Sequence, residues 1–234
     1  MKARAYTGQS GFTLVEIAIV LVIIGLLLGG ILKGQEMITQ AKIKNIVNDF
    51  NGITAAINSY QDRYRSLPGD DLSAGTRWAT QGAISGTGDG QFNKAGGGIG
   101  VAPEVYNNVP AAAPNAATPE VNLFWWHLRL AGFVPGTTTS TAAGSVSPPN
   151  NAANGILGVQ TGGMGFSSNI ICTSNLPDKI AVAVDTQMDD SVTASGQVRG
   201  MLQVAPNPPV GAPTANPPNY AETGTNQYLL CKNL

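Results

Sequence analysis

Between Phe12 and Leu32 the sequence runs for 21 residues with a single ionisable side chain, Glu16. As an α-helix rising 1.5 Å per residue, such a run reaches about 31 Å, enough to cross a bilayer. The residues before it, MKARAYTGQSG, are short, polar and basic, with Lys2 and Arg4, and the positive-inside rule keeps them in the cytoplasm. Glu16 is the oddity. A carboxylate set in an apolar helix costs on the order of 2.5–3.5 kcal/mol on insertion scales, so its default reading is functional, with a partner to be named. The bland alternative is a polar residue snorkelling to the interface from the cytoplasmic end of the run.

Beyond the run the apolar residues change period. Ile43, Ile46, Phe50, Ile53, Ile57, Tyr60 and Tyr64 recur at alternating steps of 3 and 4, a seam for packing against other helices or a globular head. Lys42, Lys44, Asp49, Asp62 and Arg63 fall off that stripe. Phe12 to about Arg65 therefore reads as one helix about 80 Å long. A secretory signal would instead be cut after its apolar segment, and Gly29 and Gly30 are small enough to allow that. Leu32, Ile43 and the periodic residues that follow argue against it, because they continue the helix. Gly25 and Gly29 form a G-x-x-x-G, with Gly30 and Gly34 offset, which lets neighbouring membrane helices approach closely or marks a soft spot where the helix unwinds. Leu67-Pro68-Gly69 ends the helix, since Pro restricts its predecessor and Gly permits a turn.

The remaining length suits one loop-rich domain, with Gly and Pro concentrated after Leu67. Only 12% of residues are charged, 13 Lys and Arg against 14 Asp and Glu, so no basic field argues for nucleic acid. With one His, no G-x-S-x-G and no G-x-x-x-x-G-K-[ST], the chain also lacks the groupings that catalysis needs. Cys172 and Cys231 can pair if the head lies outside the cytoplasm, closing a loop of about 60 residues worth roughly 4 kcal/mol; two unpaired buried thiols are the alternative. Trp78–Thr118 reads as loop. Val121–Ala131 reads as a short amphipathic helix with Leu123, Trp126 and Leu130 on one side, its aromatics in the core and His127 packed or at the surface. Gly155–Gln160, Met164–Ile171 and Gln197–Val204 are the strand candidates of a small antiparallel sheet. Pro177 followed by Asp178, with the pair Ile180/Val184, tilts the segment between them to a short helix. Ala205–Pro218 reads as an exposed, extended loop.

The order Gly11-Phe12-Thr13-Leu14-Val15-Glu16, followed by the apolar run, resembles the prepilin processing motif of type IV pilins and type II secretion pseudopilins. The resemblance implies an α+β, pilin-like fold in which a long N-terminal helix packs on a small antiparallel sheet. It divides the chain into a leader at 1–11, a transmembrane and filament-core helix at 12–33, the amphipathic half of the stalk at 34–66 and a head at 67–234. It also implies cleavage between Gly11 and Phe12 by a prepilin peptidase/methyltransferase of the inner membrane and N-methylation of Phe12. Glu16 would then neutralise the new N-terminal amine of a neighbouring subunit, turning a costly buried carboxylate into a paired one. The partners that follow are other pilin subunits in a homo- or hetero-filament, an inner-membrane assembly platform and its ATPase. Pilins often carry a Pro near the end of the apolar run; here that neighbourhood holds Lys33 and Gly34, which puts the kink in doubt.

Two further stretches have prepilin-like counterparts: YRSLPGDD after the stalk, and the acidic turn DTQMDD, where Ser191 stands in place of the usual Gly. No cofactor is expected, although Asp89 in Gly88-Asp89-Gly90 with Asn93, and the trio Asp185, Asp189 and Asp190, are weak calcium candidates beside the plainer reading of solvated turns. The leading expectation is a type IV pilus subunit serving adhesion, motility or DNA uptake. A type II secretion pseudopilin is the alternative, as is a minor binding subunit that would display loop aromatics such as Tyr106 and Tyr220.

Overall fold

A computed structural model of the chain describes residues 13–92, 105–210 and 219–234. Its first element, α1, is a helix of 51 residues, Leu14–Tyr64, with no Pro to interrupt it. Two compact units divide between Ala41 and Lys42. In the first, every side chain from Thr13 to Lys33 is exposed. A Cβ added at Gly25 or Gly29 would meet nothing within 4 Å, so the small-residue face is open in the single chain.

The second unit begins with the rest of α1, where Ile43, Ile46, Phe50, Ile53, Ile57 and Tyr60 are buried as the 3–4 spacing predicts. The helix stops at Tyr64 because Arg65 turns to φ 55°, a left-handed residue donating its amide to Gln61 O at 2.8 Å, and Pro68 follows. A short helix α2 (Ala74–Arg77) comes next, then α3 (Glu120–Leu130). The head closes with β1 (Leu157–Gly163), β2 (Phe166–Pro177), α4 (Asp178–Met188), β3 (Val198–Leu202) and β4 (Gln227–Asn233).

The four strands form one antiparallel sheet in the order β1-β2-β4-β3. Alternation divides its side chains between two faces. Val159, Ile171, Val198 and Leu230 join the stripe of α1, with Phe124 and Leu128 of α3 and Ile180 and Val184 of α4, in the main core. Ile170, Cys172, Leu229 and Cys231 point the other way and are covered by Tyr106 and Met164. Cys172 stands opposite Cys231 in the β2–β4 register, and the two are bonded.

The sheet is pilin-like α+β as expected, but its interior strand β4 was not among the strand candidates. Tyr228–Cys231 is a short apolar run at the end of the sequence, and such a run has no period long enough to declare a strand. The segment 121–131 is helical, but it is not amphipathic. Leu123 and Trp126 pack with Val146 on one side, while Val121, Phe124, Trp125 and Leu128 enter the main core on the other. Its polar residues are buried as well, because flanking loops supply their partners: Asn122 donates to the carbonyls of Asn108 and Val146, and Arg129 to those of Gly144, Ser145 and Ser147. Within Trp78–Thr118 the described residues are irregular apart from one turn of 3-10 helix at Ala79–Gln81. In the loop expected to be exposed, Ala205 and Pro206 are exposed, but Pro208 is buried. The reason is that its carbonyl accepts the Tyr106 hydroxyl at 2.8 Å and Asn207 O accepts from the Asn107 amide. Residues 211–218 of that loop lie outside the described residues.

Candidate functional site

The turn Pro68-Gly69-Asp70-Asp71 is where the head is fastened to the end of α1. Asp71, fully buried, accepts the Tyr60 hydroxyl at 2.7 Å and the Arg77 guanidinium at 2.5 Å on Oδ2, and the Ser73 amide at 2.8 Å on Oδ1. Burial pushes this carboxyl up, but the Arg77 and Tyr60 bonds outweigh it and hold Asp71 below the usual carboxylate range. Gly69 sits at φ 90°, and a Cβ there would lie 2.6 Å from Glu120 O, so both conformation and space demand glycine.

The Gly69 amide donates to His127 Nδ1 at 2.9 Å, while His127 Nε2 faces Ile84 O at 2.8 Å. An amide can only donate and a carbonyl can only accept, so the ring is the neutral Nε2–H tautomer. Complete burial lowers its pKa to about 4, against the pull of the Ile84 carbonyl and Asp71. His127 is thus a structural pin between three segments, with no acid–base task evident.

Asp70 organises the neighbouring loop. Its carboxylate accepts the amides of Gly88 (2.5 Å), Asp89 (3.1 Å) and Gly90 (2.6 Å) and the Thr87 hydroxyl (3.2 Å). Glu120, the first residue of α3 and 0% exposed, accepts the Thr87 amide and hydroxyl, both at 2.8 Å, on Oε1. Its Oε2 is buried without a hydrogen-bond partner. One carboxylate oxygen from each of Asp70, Asp89 and Glu120 lies within 4.8 Å of the others. Burial first, then the negative charges of Asp70 and Asp89, push the Glu120 carboxyl up to about 7, although the Thr87 bonds oppose this.

A second acidic group, Asp185, Asp189 and Asp190, satisfies the same 4.8 Å spacing. There Tyr220 donates to Asp185 Oδ2 at 2.5 Å, the Val198 amide to Asp189 Oδ2 at 2.8 Å, and the Val192 amide and Ser195 hydroxyl to the exposed Asp190 at 2.9 and 2.6 Å. Ser191, where a Gly was the usual residue, takes φ 63° and so adopts the conformation a Gly would.

At the other end of the chain, Thr13 precedes α1. Its amide and hydroxyl donate to Glu16 Oε2 at 2.8 and 2.9 Å, and the Glu16 amide donates back to Thr13 Oγ1 at 3.3 Å. This reciprocal pair is a capping box, which satisfies two of the amides that a helix N-terminus leaves without partners. The apolar helix behind it is the one helix among the described residues long and apolar enough to cross a membrane. Residues 6–32 match the family model described as the prokaryotic N-terminal methylation motif. The chain carries a prokaryotic N-terminal methylation motif. That is the leader motif of type IV pilins and pseudopilins. No curated protein and no solved structure is significantly similar to the chain.

The methylation motif contains Gly11 and Phe12, which lie outside the described residues, and Glu16, which the structure places at N3 of the capping box. Asn93 also lies outside the described residues. Asp89 is brought together with Asp70 and Glu120, both missed by sequence reading. Their separation along the chain hides the grouping, since nothing local links residues 70, 89 and 120. The Thr13 cap was legible, because Thr-x-x-Glu before an apolar run is a helix-start signature. Tyr106 is buried and Tyr220 half-buried, so neither is the displayed aromatic that a binding tip would use.

Proposed function

We propose that the chain is a structural subunit of a type IV pilus, stored in the inner membrane by the apolar part of α1. Cleavage at Gly11–Phe12 and methylation of Phe12 mature it, and the exposed helices of many copies then pack into the filament core while the heads tile the outside. The observation that carries this reading is the methylation motif at residues 6–32 running directly into a helix whose side chains are exposed from Thr13 to Lys33. Exposed apolar surface on that scale needs either lipid or other subunits to cover it. The peptidase/methyltransferase, the assembly platform and its ATPase are the partners this life cycle requires.

Mass spectrometry of protein from sheared surface filaments and from membranes tests the proposal. A chain beginning at N-methylated Phe12 and dominating the sheared fraction is the expected result. The same mature form confined to membranes would assign a type II secretion pseudopilin or a minor subunit instead. An intact Met1 in cells carrying the peptidase overturns both.

A further inference from the structure

Three carboxylates gathered in one place repel one another, and folding tolerates this only where something offsets the charge. Asp70 is 4% exposed and Glu120 0%, whereas Asp89 is exposed, so the group has two buried members and one open to solvent. They arrive from three separate segments: the turn after α1, the loop at 87–90 and the first turn of α3. Asp70 spends its Oδ1 on the loop's amides and leaves Oδ2 with the Gly90 amide alone. The second observation is that Glu120, a fully buried member of the group, has one carboxyl oxygen, Oε2, without a hydrogen-bond partner. An acceptor in that position lacks a donor or a cation.

We propose that Asp70, Asp89 and Glu120 form a calcium site that ties the turn after α1 to the first turn of α3. The donors are all oxygens, which suits a hard cation. The irregular, glycine-flanked loop around Asp89 suits the variable coordination of calcium better than the strict octahedron of magnesium, and solvent at Asp89 supplies water ligands. The acidic group at Asp185 also has a buried oxygen without a partner, Asp185 Oδ1, but it is the weaker case because Asp185 is its one fully buried member, against two in the group at Glu120. The site belongs to the head alone, so it stands or falls independently of which filament the chain builds.

The test is calcium titration of the full-length chain, purified in detergent and stripped with EDTA, followed by calorimetry and thermal unfolding. Wild type binds calcium at one saturable site with a Kd of about 0.1–1 mM, the range of extracellular modules. At a hundredfold excess over Kd the Tm rises by about 5 °C. Asp89→Asn, which keeps the Oδ1 acceptor for the Gln91 amide at 3.0 Å, folds in EDTA and shows no calcium shift. Asp190→Asn retains the shift. The proposal is overturned by absence of saturable binding in wild type, by an undiminished shift in Asp89→Asn, or by loss of the shift in Asp190→Asn alone.

Discussion

His127 shows what a single side chain can contribute when its surroundings admit one protonation state. In the unfolded chain an imidazole titrates near 6.5, and in the fold it is held to about 4. Between those values the unfolded state binds more protons, so stability is present above about pH 6.5 and is lost as pH falls toward 4, by on the order of 3 kcal/mol. The charged groups facing the ring are Asp71, which favours the imidazolium, and Arg77, which opposes it. A Tm series from pH 7.5 to 4 on wild type and His127→Gln isolates the effect: the gap between the two proteins narrows as the pH falls, and a constant gap would refute it. Ser191 is the residue-scale counterpart in backbone terms. A left-handed serine costs about 1–2 kcal/mol, part of which glycine returns as extra unfolded-state entropy, so Ser191→Gly raises Tm by about 1–3 °C. The sequence does flag this site, since the resemblance of the DTQMDD stretch leads one to expect glycine where Ser191 stands. His127 was legible only as packed or exposed, because the amide and carbonyl that choose its tautomer come from residues 69 and 84.

Among the elements, α1 was the most legible, its boundaries falling within two residues of the periodic pattern. A long period repeated over many turns averages out local ambiguity. β4 and the full burial of α3 were not legible, because each depends on neighbours far along the chain. The tie between α1 and the turn after it is likewise tertiary: Tyr60 and Arg77 converge on Asp71. Asp71→Asn leaves Arg77 without its carboxylate and should cost about 2–4 kcal/mol, and Tyr60→Phe about 1–2 kcal/mol. The double variant should fall short of the sum by more than about 0.5 kcal/mol, because the two remove one network. Denaturant unfolding of the four proteins checks this, and strict additivity would show that the groups act separately.

At the scale of the whole molecule, the proposed assembly would give a second task to Glu16, which the single chain uses as a helix cap. Glu16→Gln keeps an N3 acceptor for the Thr13 amide but removes the charge, whereas Glu16→Ala removes both. If charge pairing with a neighbour's amine governs assembly, both variants are processed at Gly11 and neither yields filaments; wild-type filament yield from Glu16→Gln would assign the residue to capping alone. The Cys172–Cys231 bond spans a sequence separation of 59 and closes the β2–β4 pair. Replacing both cysteines by serine should lower stability by roughly 4 kcal/mol, measured by denaturant unfolding under non-reducing conditions. The strand order β1-β2-β4-β3 also sets a timetable. Among the described strands β4 alone touches both the β1–β2 hairpin and β3, so until residues 227–233 have emerged the earlier strands are two fragments with unclaimed edges. A subunit cut short before that point leaves those edges open to pairing with any strand nearby.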